Sequence, residues 1–344
     1  MNDLIYFFLS GEHPTLPKAE ITAILEAERV NFNKRGIATQ LYRIEASSEA
    51  LNKVYLRSAM CRSCGIEIFS CKNRMEDIVN SAKEIDFTEY IKKNETFSVR
   101  VTRVIDSSKN LSSTELERSL GRIIKESVKQ AKVNLKNPMK KIHGILTDEE
   151  FLIGLNTFEK DRELMQRGPR KRPAFHPSTM EPKLARCMVN LSRARKDDFL
   201  LDPFCGVGGI LIEAGLIGCK ILGCDLNTKM IEGTKKNLKH FKLETRGIIL
   251  SDARRIAFTP VDNIVTDPPY GKNSSSLGVE LDNLFRDFIY SAYNMLKENG
   301  YISFSSPKGA NLVNLGEDIG FKLVEVHDVY IHRSLTREIV VFKR

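Results

Sequence analysis

From residue 199 onward, short apolar runs alternate with stretches of helical period, and the apolar runs repeatedly stop at an aspartate. FLLDPFCGVGG reads as a buried strand entering a glycine turn, ILIEAGLIG as a helix, KILGCD as a strand and NTKMIEGTKKNLKHF as a helix. GIILSD and VDNIVTD read as strands, LDNLFRDFIYSAYNMLKENG as a long amphipathic helix, and YISFSS as a further strand. Such alternation needs a mostly parallel sheet with helices on both faces, so the expected fold class is α/β and doubly wound. Ligands in these sheets bind outside the carboxyl ends of the strands. Asp202, Asp225, Asp252 and Asp267 are all expected at such ends.

At 344 residues the chain is long for one domain. LIYFFLS reads as a strand, PKAEITAILEAERV as a helix, and SSEALNKVYLRSAM as a second helix with a serine cap. Residues 1–65 therefore read as a small α+β unit. The pattern restarts with MEDIVNSAKEI and FTEYIKK as helices, TFSVRVTRV as a strand, and SSTELERSLGRIIKESVKQA as a helix whose capping box starts at Ser113. KIHGILTD and EFLIGLNT read as a closing strand pair, which carries the second unit to residue 158. EKDRELMQRGPRKRPAFHPSTMEPK then reads as a linker, either a solvated charge run or a basic tether along a phosphate backbone.

A formal net charge of +9 suggests an anionic partner, with nucleic acid first. No apolar run approaches the ~20 residues of a membrane span. LIYFFL lacks the basic lead and cleavage site of a signal peptide, so a cytoplasmic location without membrane contact is expected. Cys61, Cys64 and Cys71 lie close together, but a structural zinc site wants four ligands, and no second CxxC or nearby histidine supplies them. They are read as reduced, packed thiols and no metal is assigned.

The turn after the first strand carries Gly206, Gly208 and Gly209, which allow a tight turn and close approach of a ligand. The dinucleotide pattern is incomplete, since Leu211 stands where its last glycine belongs, and Asp202 lies just ahead of the turn. An aspartate there suits a cofactor with positive charge. S-adenosylmethionine, with its ammonium and sulfonium, fits. Asp225 at the next strand end can take both ribose hydroxyls. Asp252, followed by Ala253, can accept from the adenine amino group. One strand-end aspartate is more often a helix cap or turn residue, but three in register beside a GxGG turn are hard to explain that way.

TDPPYG at 266–271 breaks off the VDNIVTD strand. Methyl transfer to the exocyclic amine of a base must hold the NH₂ by its hydrogens, so that the delocalised lone pair faces the methyl group. Two acceptors are needed and no competing donor. The Asp267 carboxylate and the Pro268 carbonyl are the candidate acceptors, Pro269 has no N–H, and two prolines stiffen the turn. Tyr270 offers a stacking ring.

LLDPFCGVGGILIEAG together with TDPPYG resembles the class I S-adenosylmethionine-dependent methyltransferases of base amino groups. HPSTMEPKLARCMVNL and HRSLTREIVVF narrow the likeness, and FSVRV, LERSLGRIIKES and FLIGL resemble a THUMP domain. The whole chain is similar to the archaeal tRNA guanosine-10 N2-methyltransferases. That resemblance implies a ferredoxin-like segment at 1–65, an RNA-binding THUMP domain at 66–158, a linker at 159–177, and a Rossmann-like seven-stranded methyltransferase domain at 178–344. It further implies S-adenosylmethionine as cofactor and tRNA as partner, and nothing in the sequence calls for a protein partner. Asp202, Gly206 and Gly208 would face the cofactor's methionine part, Asp225 its ribose, and Asp252 with Ala253 its adenine. Asp267, Pro268, Pro269 and Tyr270 would form the catalytic turn. Rival expectations are the same chemistry on another tRNA guanosine or on ribosomal RNA, adenine methylation in DNA, and an RNA-binding protein with a vestigial methyltransferase domain.

Overall fold

The computed structural model describes all residues except 1, 105–109, 160–162, 257, 259, 270–277 and 333–334. They form two compact units built from interleaved segments: Met1–Pro14, Val30–Leu56 and Cys61–Asp161 make one, and Thr15–Arg29, Arg57–Met60 and Arg162–Arg344 make the other. No helix among the described residues is long and apolar enough to cross a membrane.

The first unit is a single eight-stranded sheet. Its strands are β1 (Asp3–Leu9), β2 (Phe32–Ala38), β3 (Leu41–Ala46), β4 (Cys61–Lys72), β5 (Thr96–Arg103), β6 (Lys132–Val133), β7 (Lys140–Leu146) and β8 (Glu150–Glu159). Their order is β2-β3-β1-β4-β8-β7-β5-β6. β4 is one continuous strand through residue 65, pairing with β1 on one side and β8 on the other. The helices are α2 (Glu49–Arg57), α3 (Met75–Lys83) and α4 (Ser113–Ser127). Leu116, Leu120 and Ile124 of α4 recur every fourth residue and bury against Phe97, Val99 and Val101 of β5 in one core. The α4 cap is Ser112, one residue earlier than expected: its hydroxyl accepts from the Glu115 N–H at 3.3 Å. FTEYIKK closes only a 3-10 turn at Phe87–Glu89, pinned by the Asp86 side chain, because so short a stretch with Thr and Tyr cannot offset helix nucleation. Cys61 and Cys64 are buried on β4 and Cys71 is half-buried. Among the described residues no cluster of three His, Cys, Asp or Glu side chains could hold a metal ion.

The second unit holds the expected α/β sheet. It comprises α1 (Leu16–Ala27), α5 (Glu163–Gln166), α6 (Pro182–Leu191), β9 (Phe199–Asp202), α7 (Gly209–Leu216), β10 (Lys220–Asp225), α8 (Thr228–His240), β11 (Thr245–Leu250), β12 (Val261–Thr266), α9 (Gly278–Met295), β13 (Leu296–Pro307), α10 (Leu312–Ile319), β14 (Lys322–His332) and β15 (Leu335–Lys343). The strand order is β11-β10-β9-β12-β13-β15-β14. β9 to β13 pair in parallel, whereas β15 is antiparallel to both β13 and β14. The final hairpin, beyond the last strand readable from alternation, completes the seven. Neighbouring strand residues face opposite cores. Leu200, Ile221 and Val265 join α6, α7 and α8 on one side, while Leu201, Leu222 and Ile264 join α9 and α10 on the other.

Two parts of this unit depart from the sequence reading. Helix α1 packs on α6 rather than within the N-terminal sheet. Its Glu20, fully buried, accepts from Ser58 Oγ (2.6 Å), the Ala59 and Met60 N–H groups (2.8 Å each) and Asn190 Nδ2 (2.8 Å). Four donors on one carboxylate compensate its desolvation. The charge run after residue 158 is also no solvated linker in its second half. Arg167 bonds Glu213 of α7 through Nε and Nη2 at 3.0 Å each, Arg172 is buried, and the Ala174 backbone bonds both polar atoms of the Asn237 side chain at 2.9 Å. Arginine spacing carries no sign of a partner distant in sequence, which is why these side chains read as exposed.

Candidate active site

The strand order reverses between β9 and β12, so the chain parts at their carboxyl ends and leaves a crevice there. Into it open the turns after β9, β10, β11 and β12. They line a cavity of about 610 Å³ within the second unit. Such a volume suits a nucleoside-sized ligand.

After β9 the backbone runs through Gly206 (φ +51°) and Gly208 (φ +84°), both in the left-handed region that favours glycine. A Cβ on Gly208 would come within 3.1 Å of Thr234 Cγ2 on α8, so the turn also needs glycine for close packing. Thr234 Oγ1 donates to the Gly206 carbonyl at 2.7 Å and Asn237 Nδ2 donates to the Val207 carbonyl at 2.8 Å. The loop is thus held from beneath, and Gly206 faces the cavity while Gly208 packs away from it.

Asp225, ending β10, accepts from the Gly206 N–H (3.0 Å) and the Asn227 N–H (2.8 Å). One carboxylate therefore joins the glycine turn to the start of α8. Asp252 and Ala253 reach the cavity after β11. Asp252 is paired with Arg254, whose Nε lies 3.1 Å from each carboxylate oxygen, and this bonding lowers the Asp252 pKa. Asp202, ending β9, is 2% exposed. It accepts from Thr266 Oγ1 at 2.7 Å and from the Phe204 N–H at 3.2 Å. Burial pushes its pKa up to about 7, with the charges of Asp225 and Asp267 adding and the two hydrogen bonds opposing.

Asp267 stands immediately after β12. Ser305 Oγ on β13 donates to its Oδ1, and Arg337 Nη1 on β15 donates to its Oδ2 at 3.2 Å. Two neighbouring strands therefore aim one carboxylate at the cavity mouth, beside Pro268 and Pro269. Tyr270 lies outside the described residues. The structure thus brings Asp202, Gly206, Asp225, Asp252, Ala253, Asp267, Pro268 and Pro269 to one cavity. Sequence reasoning missed Thr266, Ser305 and Arg337. The HPST and HRSLTR stretches signalled that something lay near, without giving a role to any side chain.

The doubly wound seven-stranded sheet and the cavity at the carboxyl ends of its strands define a class I methyltransferase fold in the second unit. Residues 169–338 match the RMKL-like methyltransferase domain family, and residues 72–156 match the THUMP domain. The chain is 38% identical over 338 residues to the tRNA (guanine(10)-N2)-dimethyltransferase of Methanothermobacter thermautotrophicus, covering 98% of both chains. It is 34% identical to the protein of the same name from Methanocaldococcus jannaschii, covering 99% of this chain and 100% of that one. The crystal structure of TrmN from Thermus thermophilus superposes with a TM-score of 0.58 at 21% identity, covering 99% of each chain. This chain belongs to the tRNA (guanine(10)-N2)-dimethyltransferase family.

Proposed function

We propose that the chain transfers methyl groups from S-adenosylmethionine to the exocyclic N2 of guanosine 10 in tRNA, twice at the same nitrogen. The observation that carries this reading is Asp267, held by Ser305 and Arg337 at the mouth of a cavity lined by three further strand-end aspartates.

The cavity suits this cofactor. Asp225 keeps free lone pairs for a ribose beside the N–H groups that it already accepts, and Asp202 offers charge toward an ammonium group. Phe204, Ile210, Met230 and Leu284 supply apolar walls. When bound, the cofactor supplies an electrophilic methyl group on sulfur.

The base enters from the β12 side. Asp267 and the Pro268 carbonyl accept the two amine hydrogens and so direct the nitrogen lone pair at the cofactor. Pro269, lacking an N–H, offers no competing donor. Positive charge that grows on nitrogen is stabilised by the Asp267 carboxylate. The cationic nitrogen is strongly acidic and gives its proton to the Asp267 carboxylate that already accepts it, and from there to water, so no strong base is required. After one transfer a single N2 hydrogen remains, and Asp267 can hold it for the second.

Guanosine 10 must leave its stack, at a cost of a few kcal/mol. RNA contacts on the first unit can offset that cost. There α4 exposes Arg118, Arg122 and Lys125 at intervals of four and three, which is one cationic face suited to phosphates. The test is methylation of an unmodified tRNA transcript by the full chain. Alternating-charge variants Arg122→Glu and Lys125→Glu should weaken tRNA binding and flatten its salt dependence while leaving cofactor binding unchanged.

A further inference from the structure

The connection from β11 to β12 carries no helix among its described residues, unlike those from β10 to β11 and from β12 to β13. Ile256 and Phe258 of this connection pack on the core that α9 and α10 share. The flank beside α9 is left open, and a groove of about 540 Å³ lies there. Arg254, Arg255, Arg286, Asp287 and Tyr290 line one part of it, and Leu315 and Ile319 of α10 the rest. Arg254 lines the cavity as well, so groove and cavity adjoin at that residue.

The groove is cationic and aromatic at once. Three guanidiniums stand against two carboxylates, Asp252 and Asp287. Arg254 is held by Asp252. Arg286 Nε lies 3.6 Å from Asp287 Oδ1 in an exposed pair of little strength, and its Nη2 donates to Asn283 Oδ1 at 2.9 Å. Arg255 is exposed, and its side chain makes no salt bridge or hydrogen bond among the described residues. Tyr290 lies one helical turn beyond Arg286 on the same face of α9 and is 62% exposed. Phe285, Phe288 and Ile289 on the other face fill the core, which leaves the Tyr290 ring available to a ligand.

We propose that this groove is a second nucleotide subsite, which takes a nucleotide flanking the target guanosine in the same RNA strand, with its phosphate on Arg255 and Arg286 and its base on the Tyr290 ring. The inference rests on the functional reading above. Arginine forks bind phosphate oxygens through paired N–H groups. Every base has a face that can stack on an aromatic ring, and an unpaired nucleotide is the one that can bring it there. Leu315 and Ile319 give the stacked base an apolar border. Holding this nucleotide offsets part of the cost of extruding the target base. An acidic peptide is the rival occupant. It would satisfy the arginines, but the adjoining cavity favours the strand that delivers a base to it.

The experiment uses the full chain and an unmodified tRNA transcript. The chain has no tryptophan, so Tyr290→Trp places a single indole on this face of α9. Added tRNA should quench its emission, whereas heparin, a polyanion without bases, and S-adenosylhomocysteine should not. Tyr290→Ala should weaken tRNA binding by roughly 5–100-fold, and Tyr290→Phe should restore it, because the ring rather than the hydroxyl stacks. Arg255→Gln should weaken tRNA binding and reduce the slope of log affinity against log salt by about one. S-adenosylhomocysteine affinity should stay within about two-fold throughout, since neither residue is among the described residues that line the cavity. Emission unmoved by bound tRNA, or wild-type tRNA affinity in both Tyr290→Ala and Arg255→Gln, would overturn the subsite and leave the groove to an acidic protein. Quenching by heparin equal to that by tRNA would overturn the stacking role. A parallel loss of S-adenosylhomocysteine affinity would assign the groove to the cofactor cavity instead. A wild-type chain that neither binds nor methylates the transcript would overturn the functional reading, and the subsite with it.

Discussion

Arg337 Nη1 lies 3.2 Å from Asp267 Oδ2, so a cation on the last strand holds the carboxylate that follows β12. Both side chains are mostly buried, at 17% and 16% exposure, and there the pair is less screened than on a surface. The pairing spans β12, β13 and β15 and makes the antiparallel hairpin part of the candidate site.

Replacing Arg337 by Gln should therefore lower the rate of methyl transfer by roughly 10–100-fold, equivalent to about 1.5–3 kcal/mol for a hydrogen bond to a charged group. Cofactor affinity should stay within about two-fold, because Arg337 holds Asp267 rather than the glycine turn. Single-turnover kinetics beside calorimetry checks this. A matching loss of cofactor affinity would mean that Arg337 shapes the whole cavity.

Asp225→Ala should weaken S-adenosylmethionine by about 1–3 kcal/mol, through lost ribose bonds and a loosened Gly206 N–H. Calorimetry showing unchanged affinity would reduce this carboxylate to a cap for the turn before α8.

Asp202 gives a pH signature. Its folded pKa of about 7 lies above its ordinary 3.8, so the folded state holds the proton more tightly than the unfolded chain. The stability this contributes is fully present below about pH 4 and is lost as pH rises to 7. Cofactor binding should run the opposite way, strengthening from pH 6 to 8 as Asp202 ionises to meet the ammonium. Asp202→Asn should raise the stability of the free protein at pH 8 by about 1–3 kcal/mol and flatten both profiles. Denaturant unfolding and calorimetry across that pH range measure the two effects. Parallel rather than opposed trends would contradict the assignment.

Removing the N-terminal helix should cripple the catalytic unit. A fragment of residues 178–344 lacks α1, so Asn190, Arg193 and Arg195 lose their bonds to Glu20, Glu26 and the Ala27 carbonyl. The fragment should unfold without a cooperative transition. In the full chain, Glu20→Ala should cost about 2–4 kcal/mol, because it leaves buried donors unmade. Circular dichroism melts of both proteins test this, and a stable, cofactor-binding 178–344 fragment would overturn it.

How far the sequence carried varied with the range of the interaction. The strands β9 to β13 were legible because each is a local apolar run ending at a turn, and Asp202, Asp225, Asp252 and Asp267 were legible because strand ends in a parallel sheet converge. Helix α1 was legible as a helix, but its attachment to α6 was not: Glu20 looks like a surface residue until Asn190, far along the chain, is seen to bond it. Arg172 and Arg337 were hidden for the same reason. Their types are common on surfaces, and only the folded chain places one beside Gly209 and the other beside Asp267.

The most direct test of the central claim is to supply the full chain with an unmodified tRNA transcript and methyl-labelled S-adenosylmethionine, and then map the product by nucleoside and fragment mass spectrometry. The account expects label on N2 of guanosine 10, advancing from one methyl to two, and no label with Asp267→Ala even though that variant still binds the cofactor. Label on another nucleotide, or near-normal transfer by Asp267→Ala, would contradict it.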